Sequence, residues 1–165
     1  MIQLLRSFAV LAVLATALPF TGCGGQPETQ EAPPTANDTA APGVDPDDVP
    51  ITEADVKLPA NYAEAIPQIK SYRDTIKSAV EAGTPSKAHR PLDELDIVLN
   101  KLPTIAKDSG IAKEHWETIN TSAQELRNLF NQVHSAIDEK REPDYKAVAQ
   151  PIDEQIGRLE SVPQP

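Results

Sequence analysis

Apolar residues recur at helical spacing in four blocks between residues 59 and 165. In the second block they follow one another at alternating intervals of four and three residues, which places them on one face of an α-helix. The four apolar faces are Tyr62, Ile66, Ile69, Arg73 or its neighbour Tyr72, Ile76 and Val80; Ala88, Leu92, Leu95, Leu99, Leu102 and Ala106; Trp116, Ile119, Ala123, Leu126, Phe130, Val133 and Ile137; and Tyr145, Val148, Ile152, Ile156 and Leu159. The pattern predicts four amphipathic helices with large side chains in a common core.

The ends of these blocks carry helix signals. Gly83 follows the first block and Gly110 the second, and glycine is the usual residue just past a helix C-terminus. No sustained alternation of β-branched residues and no Asn-Gly hairpin turn occurs. Short connections between amphipathic helices favour antiparallel neighbours. We therefore predict an all-α domain over residues 59–165, an antiparallel up-down four-helix bundle.

Four prolines lie within the periodic blocks: Pro67, Pro91, Pro103 and Pro151. Each lacks a backbone donor and tends to kink a helix. Pro91 and Pro151 are each followed by an apolar residue, Asp and Glu, a pattern typical of the first turn of a helix. We expect a helix to start or restart at both.

The N-terminal stretch has the features of an export signal. Arg6 is followed by an apolar run from Phe8 to Leu18 that only Thr16 interrupts. This run is about half of the roughly 20 apolar residues that a membrane span needs. Residues 1–22 are therefore predicted to be a secretory signal peptide.

Cys23 is the one cysteine of the chain, so it cannot form an internal disulfide after export. The sequence Thr21-Gly22-Cys23 resembles the lipobox of bacterial lipoproteins, with Phe20 where leucine is usual. The resemblance implies that the thiol of Cys23 receives a diacylglycerol, that cleavage precedes it, and that the new N-terminus is acylated. Gly24 stands where that family places aspartate for inner-membrane retention, which favours the outer membrane if the host has two membranes.

Residues 24–58 differ sharply in composition from the helical blocks. They hold six prolines, eight acidic residues and one lysine, and no aromatic residue. Such a segment buries too little apolar surface to offset the entropy of ordering it. We predict that residues 23–58 are the lipidated cysteine and a disordered tether.

The charge of residues 59–165 is mildly acidic, with 17 acidic and 13 basic residues spread along the helices. Binding to nucleic acid requires a basic face, and none is visible. Nucleic acid is therefore not an expected partner.

The candidate chemistry lies along one edge of the second predicted helix. His89 and Asp93 are four residues apart, and a hairpin that turns near Gly110 brings His134 close to His89. Imidazole and carboxylate groups in this arrangement predict a possible metal site at His89, Asp93 and His134. A solvated helix edge is the favoured interpretation. No His-Glu-x-x-His motif, Cys-x-x-Cys-His motif or phosphate-binding glycine loop occurs.

These features together favour a non-enzymatic lipoprotein, anchored in the cell envelope through Cys23. Its helical bundle is expected to bind an unknown envelope protein or ligand, without a cofactor. The alternative is a metal- or haem-binding bundle in redox or metal handling, with the architecture of cytochrome b562 or cytochrome c′.

Overall fold

The computed structural model describes residues 50–165, which form four α-helices joined by short connections. The helices are α1 (Tyr62–Glu81), α2 (His89–Asp108), α3 (Trp116–Asp138) and α4 (Tyr145–Glu160). No strand occurs within this part of the chain. The all-α prediction is confirmed for the bundle, while the predicted signal peptide and residues 23–49 of the predicted tether lie outside the described residues.

Local sequence explains where the helices begin and end. The Asn61 side chain accepts a hydrogen bond from the Glu64 amide at the start of α1, and the Asp144 side chain accepts one from the Ala147 amide at the start of α4. Gly83 and Gly110 have positive φ angles of 69° and 77° just past α1 and α2. Both predicted C-terminal signals are thus confirmed.

Each helix packs against its neighbours in the chain, and α1 also packs against α4. The Tyr62 amide, at the start of α1, donates a hydrogen bond of 2.8 Å to the hydroxyl of Ser109, just past the end of α2. Since the start of one helix meets the end of the next, α1 and α2 run in opposite directions.

The predicted apolar faces supply most of the core, which also includes Val56, Ala65, Val98, Ile111, Ala136 and Val162. Of the apolar residues on the predicted faces, only Tyr72, Val80 and Trp116 are half-buried rather than buried. Among residues 50–165, no helix combines the length and apolarity that a membrane crossing requires.

The prolines interrupt the helices less than the sequence predicts. Pro67, Pro103 and Pro151 stand inside α1, α2 and α4, and each helix continues through its proline. The predicted helix start at Pro151 is wrong, because Asp144 caps α4 about two turns earlier. Pro91 does lie in the first turn of α2.

Residues 50–58 pack on the bundle, although their composition predicts a disordered tether. Val56 is buried, and Ile51 and Leu58 are half-buried against the core. The Glu53 carboxylate forms an ion pair with Lys101 of α2. The apolar side chains of Ile51, Val56 and Leu58 thus hold this short stretch against the helices.

Candidate functional site

Two histidines that are far apart in the sequence lie side by side where α2 begins and α3 ends. His89 is the first residue of α2, and His134 lies in the last two turns of α3. Their ring centroids are 5.3 Å apart, with the rings tilted by 53°. The side chains are 16% and 27% exposed, so both are largely shielded from water.

Asp138 completes the cluster from the last residue of α3. Its Oδ1 atom lies 3.4 Å from Nε2 of His89 and 3.7 Å from Nε2 of His134. The sequence prediction of the site does not include Asp138. The available signal is its spacing of four residues from His134, which places both side chains on one face of α3.

Asp93 approaches the other nitrogen of the His134 ring. Its Oδ1 atom is 3.8 Å from Nδ1 of His134, on the preceding helix α2. Burial raises the pKa of the Asp93 carboxyl above its ordinary value, while His134 and His89 act in the opposite direction. The structure thus brings the three predicted residues into one region, with Asp93 and Asp138 at different nitrogens of His134.

A groove of about 560 Å³ runs along α2 and α3 from this cluster. Arg127 of α3 donates two hydrogen bonds across it to Asp96 of α2, at 2.7 and 3.1 Å. Apolar side chains form much of the remaining wall. The lining residues are Pro50, Ile51, Leu92, Asp93, Leu95, Asp96, Ile97, Leu99, Arg127, Phe130, Asn131 and His134.

The third histidine lies elsewhere. His115 precedes α3, and His134 is 19 residues further along, which corresponds to about 28 Å of helix. His115 therefore cannot join the cluster. The contact between the rings of His89 and His134 also leaves no room for a porphyrin between them, so this arrangement favours a metal ion over a haem.

Trp116, expected in the core, packs against it from a half-buried position. Its indole N–H donates a hydrogen bond of 2.9 Å to the carbonyl of Ile111. The ammonium groups of Lys107 and Lys113 lie 4.9 and 5.7 Å from the ring centre. These contacts stabilise the α2–α3 connection. They explain the position of Trp116, so no bound ligand is needed to explain it.

Comparisons of the chain with protein-family models, with curated proteins and with solved structures found no match.

Proposed function

We propose that the chain is an exported, lipid-anchored protein of the cell envelope whose helical bundle binds a small ligand without catalysing a reaction. The anchoring rests on the lipobox-like sequence that ends at Cys23. Gly24 favours the outer membrane in a host with two membranes. Acyl chains contribute about 0.8 kcal/mol per buried CH₂, so two or more chains on Cys23 would hold the protein firmly on a membrane.

The observation that carries the binding role is the groove between α2 and α3. Its volume of about 560 Å³ lies within the roughly 300–1,000 Å³ typical of small-molecule sites. The half-buried Ile51 and Ile97 supply apolar surface, and Asp93 and Asn131 supply polar groups. A ligand with an apolar body and a charged or polar end fits this combination.

The side chains of the groove support binding rather than catalysis. The described lining residues include no serine, threonine, cysteine or lysine, and the acidic residues Asp93 and Asp96 lie against His134 and Arg127. Arg127 is bound in bidentate fashion to Asp96, which neutralises the strongest cation of the groove. Both features favour a site that holds a ligand in place.

The groove also lies where the proposed tether meets the bundle. Pro50 and Ile51 line its wall, and the 26 residues 24–49 precede them. A segment of that length spans about 30–80 Å, between a flexible coil and an extended polyproline helix. The proposed arrangement therefore holds the binding groove at some distance from the membrane surface.

Blocking the groove tests this proposal. Asn131 is an exposed residue of its wall, so Asn131→Trp fills the opening without disturbing the core. Asn128→Trp, one turn away and outside the groove, is the matched control. Binding of a panel of small organic acids and amines to the lipidated chain in nanodiscs is measured by saturation-transfer NMR.

We expect panel members that bind the wild-type protein and Asn128→Trp, and that lose their signal with Asn131→Trp. Failure of every compound to bind, or equal binding to both tryptophan variants, would contradict a ligand site in this groove.

A further inference from the structure

We propose that His89, His134 and Asp138 bind a divalent first-row transition-metal ion, and that Asp93 orients His134 for this task. The proposed site lies where α2 begins and α3 ends, at the end of the groove that Asp93 and His134 line. It requires neither the lipid anchor nor an organic ligand in the groove, so it goes beyond the function proposed above.

The spacing of the three ligand atoms is close to that of a metal site. Zinc bonds to nitrogen and oxygen ligands are about 2.0–2.2 Å long, so the ligand atoms of a tetrahedral site lie roughly 3.3–3.6 Å apart. Oδ1 of Asp138 lies 3.4 Å from Nε2 of His89 and 3.7 Å from Nε2 of His134. All three residues offer ligand atoms within 4.8 Å of one another.

The three side chains can reach the ligand-to-ligand distances of a metal site by rotation alone. His89 begins α2 directly after the short 3-10 helix Pro85–Ala88, and Asp138 is the last residue of α3. The Asp138 side chain is 59% exposed and is free to rotate toward the imidazoles. Closing the widest separation from at most 4.8 Å to about 3.5 Å therefore requires side-chain rotation rather than movement of a helix.

Asp93 has the position of an outer carboxylate rather than of a ligand. A histidine that binds a metal through one nitrogen usually donates its other N–H to a carboxylate or carbonyl, which fixes the ring. His134 presents Nε2 to Asp138 and Nδ1 to Asp93. Asp93 is thus a positioning residue, whereas the sequence places it among the ligands and does not include Asp138.

The charge balance of the cluster also favours a divalent cation. Within residues 50–165, the carboxylates of Asp93 and Asp138 lie 3.4–3.8 Å from histidine nitrogens and form no ion pair with a lysine or arginine. Asp96, one turn further along α2, is neutralised by Arg127. Imidazoles bind a metal in their neutral form, so the two carboxylates would give the site a charge of −2, which a divalent ion offsets.

The donor set selects the class of metal. Imidazole nitrogens suit zinc, copper, nickel and iron, whereas magnesium and calcium prefer sites made of oxygen atoms. Three protein ligands leave at least one coordination position for water or another ligand. We therefore expect Zn²⁺, Ni²⁺ and Co²⁺ to bind and Mg²⁺ not to bind.

The test is metal titration of the full chain in detergent, in a Cys23→Ser background that removes the thiol as a competing ligand. Binding of Zn²⁺ is followed by calorimetry, and binding of Co²⁺ by its visible absorption. We expect one metal ion per chain and a rise in melting temperature with Zn²⁺. His89→Gln, His134→Gln and Asp138→Asn should each weaken binding more than 100-fold.

Two further variants separate a specific site from general attraction of cations. Asp93→Asn should weaken binding about 10–100-fold and keep the stoichiometry of one ion, as expected for an outer-shell residue. His115→Gln should bind as tightly as the parent chain. Circular dichroism without metal confirms that each variant is folded. The absence of Zn²⁺ binding, or equal affinity in His115→Gln and in the folded His89→Gln and His134→Gln variants, would overturn the proposal.

Discussion

The hydroxyl of Tyr62 donates a hydrogen bond of 3.0 Å to the carbonyl of Leu159, and it thereby joins the first turn of α1 to the last turn of α4. Both residues are completely buried. The carbonyl belongs to the last turn of α4, beyond the regular hydrogen bonds of the helix, and it also accepts a longer hydrogen bond of 3.3 Å from the Val162 amide. One side chain thus closes the bundle and gives a buried acceptor its shorter hydrogen bond.

Removing this hydroxyl should destabilise the protein. Tyr62→Phe removes the shorter of the two hydrogen bonds to the buried Leu159 carbonyl, which costs about 0.5–1.5 kcal/mol of unfolding free energy. Tyr145→Phe is the matched control, because the buried Tyr145 hydroxyl has no hydrogen-bond partner among the described residues. Urea denaturation should show a loss for Tyr62→Phe and no loss for Tyr145→Phe. Equal effects would contradict the role of the bond.

The tyrosines should also make the bundle sensitive to alkali. Burial raises the pKa of Tyr62 and Tyr72 above the ordinary value and raises the pKa of Tyr145 to about 12. A raised pKa in the folded state gives stability that is complete below the unfolded pKa of about 10 and is lost as pH rises through the folded pKa.

We therefore expect the unfolding free energy to fall between about pH 10 and pH 12, with phenolate absorbance and loss of helix developing together. The chain has only these three tyrosines, so the absorbance reports on them alone. Ionisation of all three near pH 10 with the helices intact would be inconsistent with their burial.

Phe130 contributes both to the core and to the groove. It is only 4% exposed and lines the groove wall from α3. Phe130→Ala should lower the unfolding free energy by about 3–5 kcal/mol, whereas Phe130→Leu, which keeps most of the volume, should cost less than about 2 kcal/mol. Denaturant titration of both variants measures the difference. A loss below 1 kcal/mol for alanine would show that the side chain is not part of the core.

The apolar faces of the four helices could be read from the sequence because helical periodicity fixes which residues point inward. Leu92, Leu95 and Leu99 are buried as their four-three spacing predicts. The pairing of His89 with His134 followed from the hairpin geometry of α2 and α3. Asp138 was missed because its position depends on where α3 ends, and helix ends are poorly defined by periodicity.

The packing of residues 50–58 could not be predicted because it depends on tertiary contacts. Val56 is surrounded in sequence by acidic residues and proline, and that composition is typical of a solvated segment. Its burial becomes favourable only once the assembled helices offer an apolar surface, which no local pattern reveals.

This packing predicts that Val56 stabilises the bundle. Val56→Ser should lower the unfolding free energy by about 1–2 kcal/mol, because a buried apolar side chain is replaced by a smaller polar one. Lys57→Ser, at an exposed neighbouring position, should change it by less than about 0.5 kcal/mol. Thermal or urea unfolding distinguishes the two. Equal stability of both variants would indicate that residues 50–58 do not pack against the helices.

Anchoring through Cys23 is tested most directly by the intact mass of the chain extracted from the membranes of cells that produce it. We predict a chain that begins at Cys23 and carries a diacylglycerol on its thiol and an acyl group on its amine, whereas Cys23→Ser carries no lipid. A wild-type chain that is recovered without lipid and with a free Cys23 thiol would contradict the anchor.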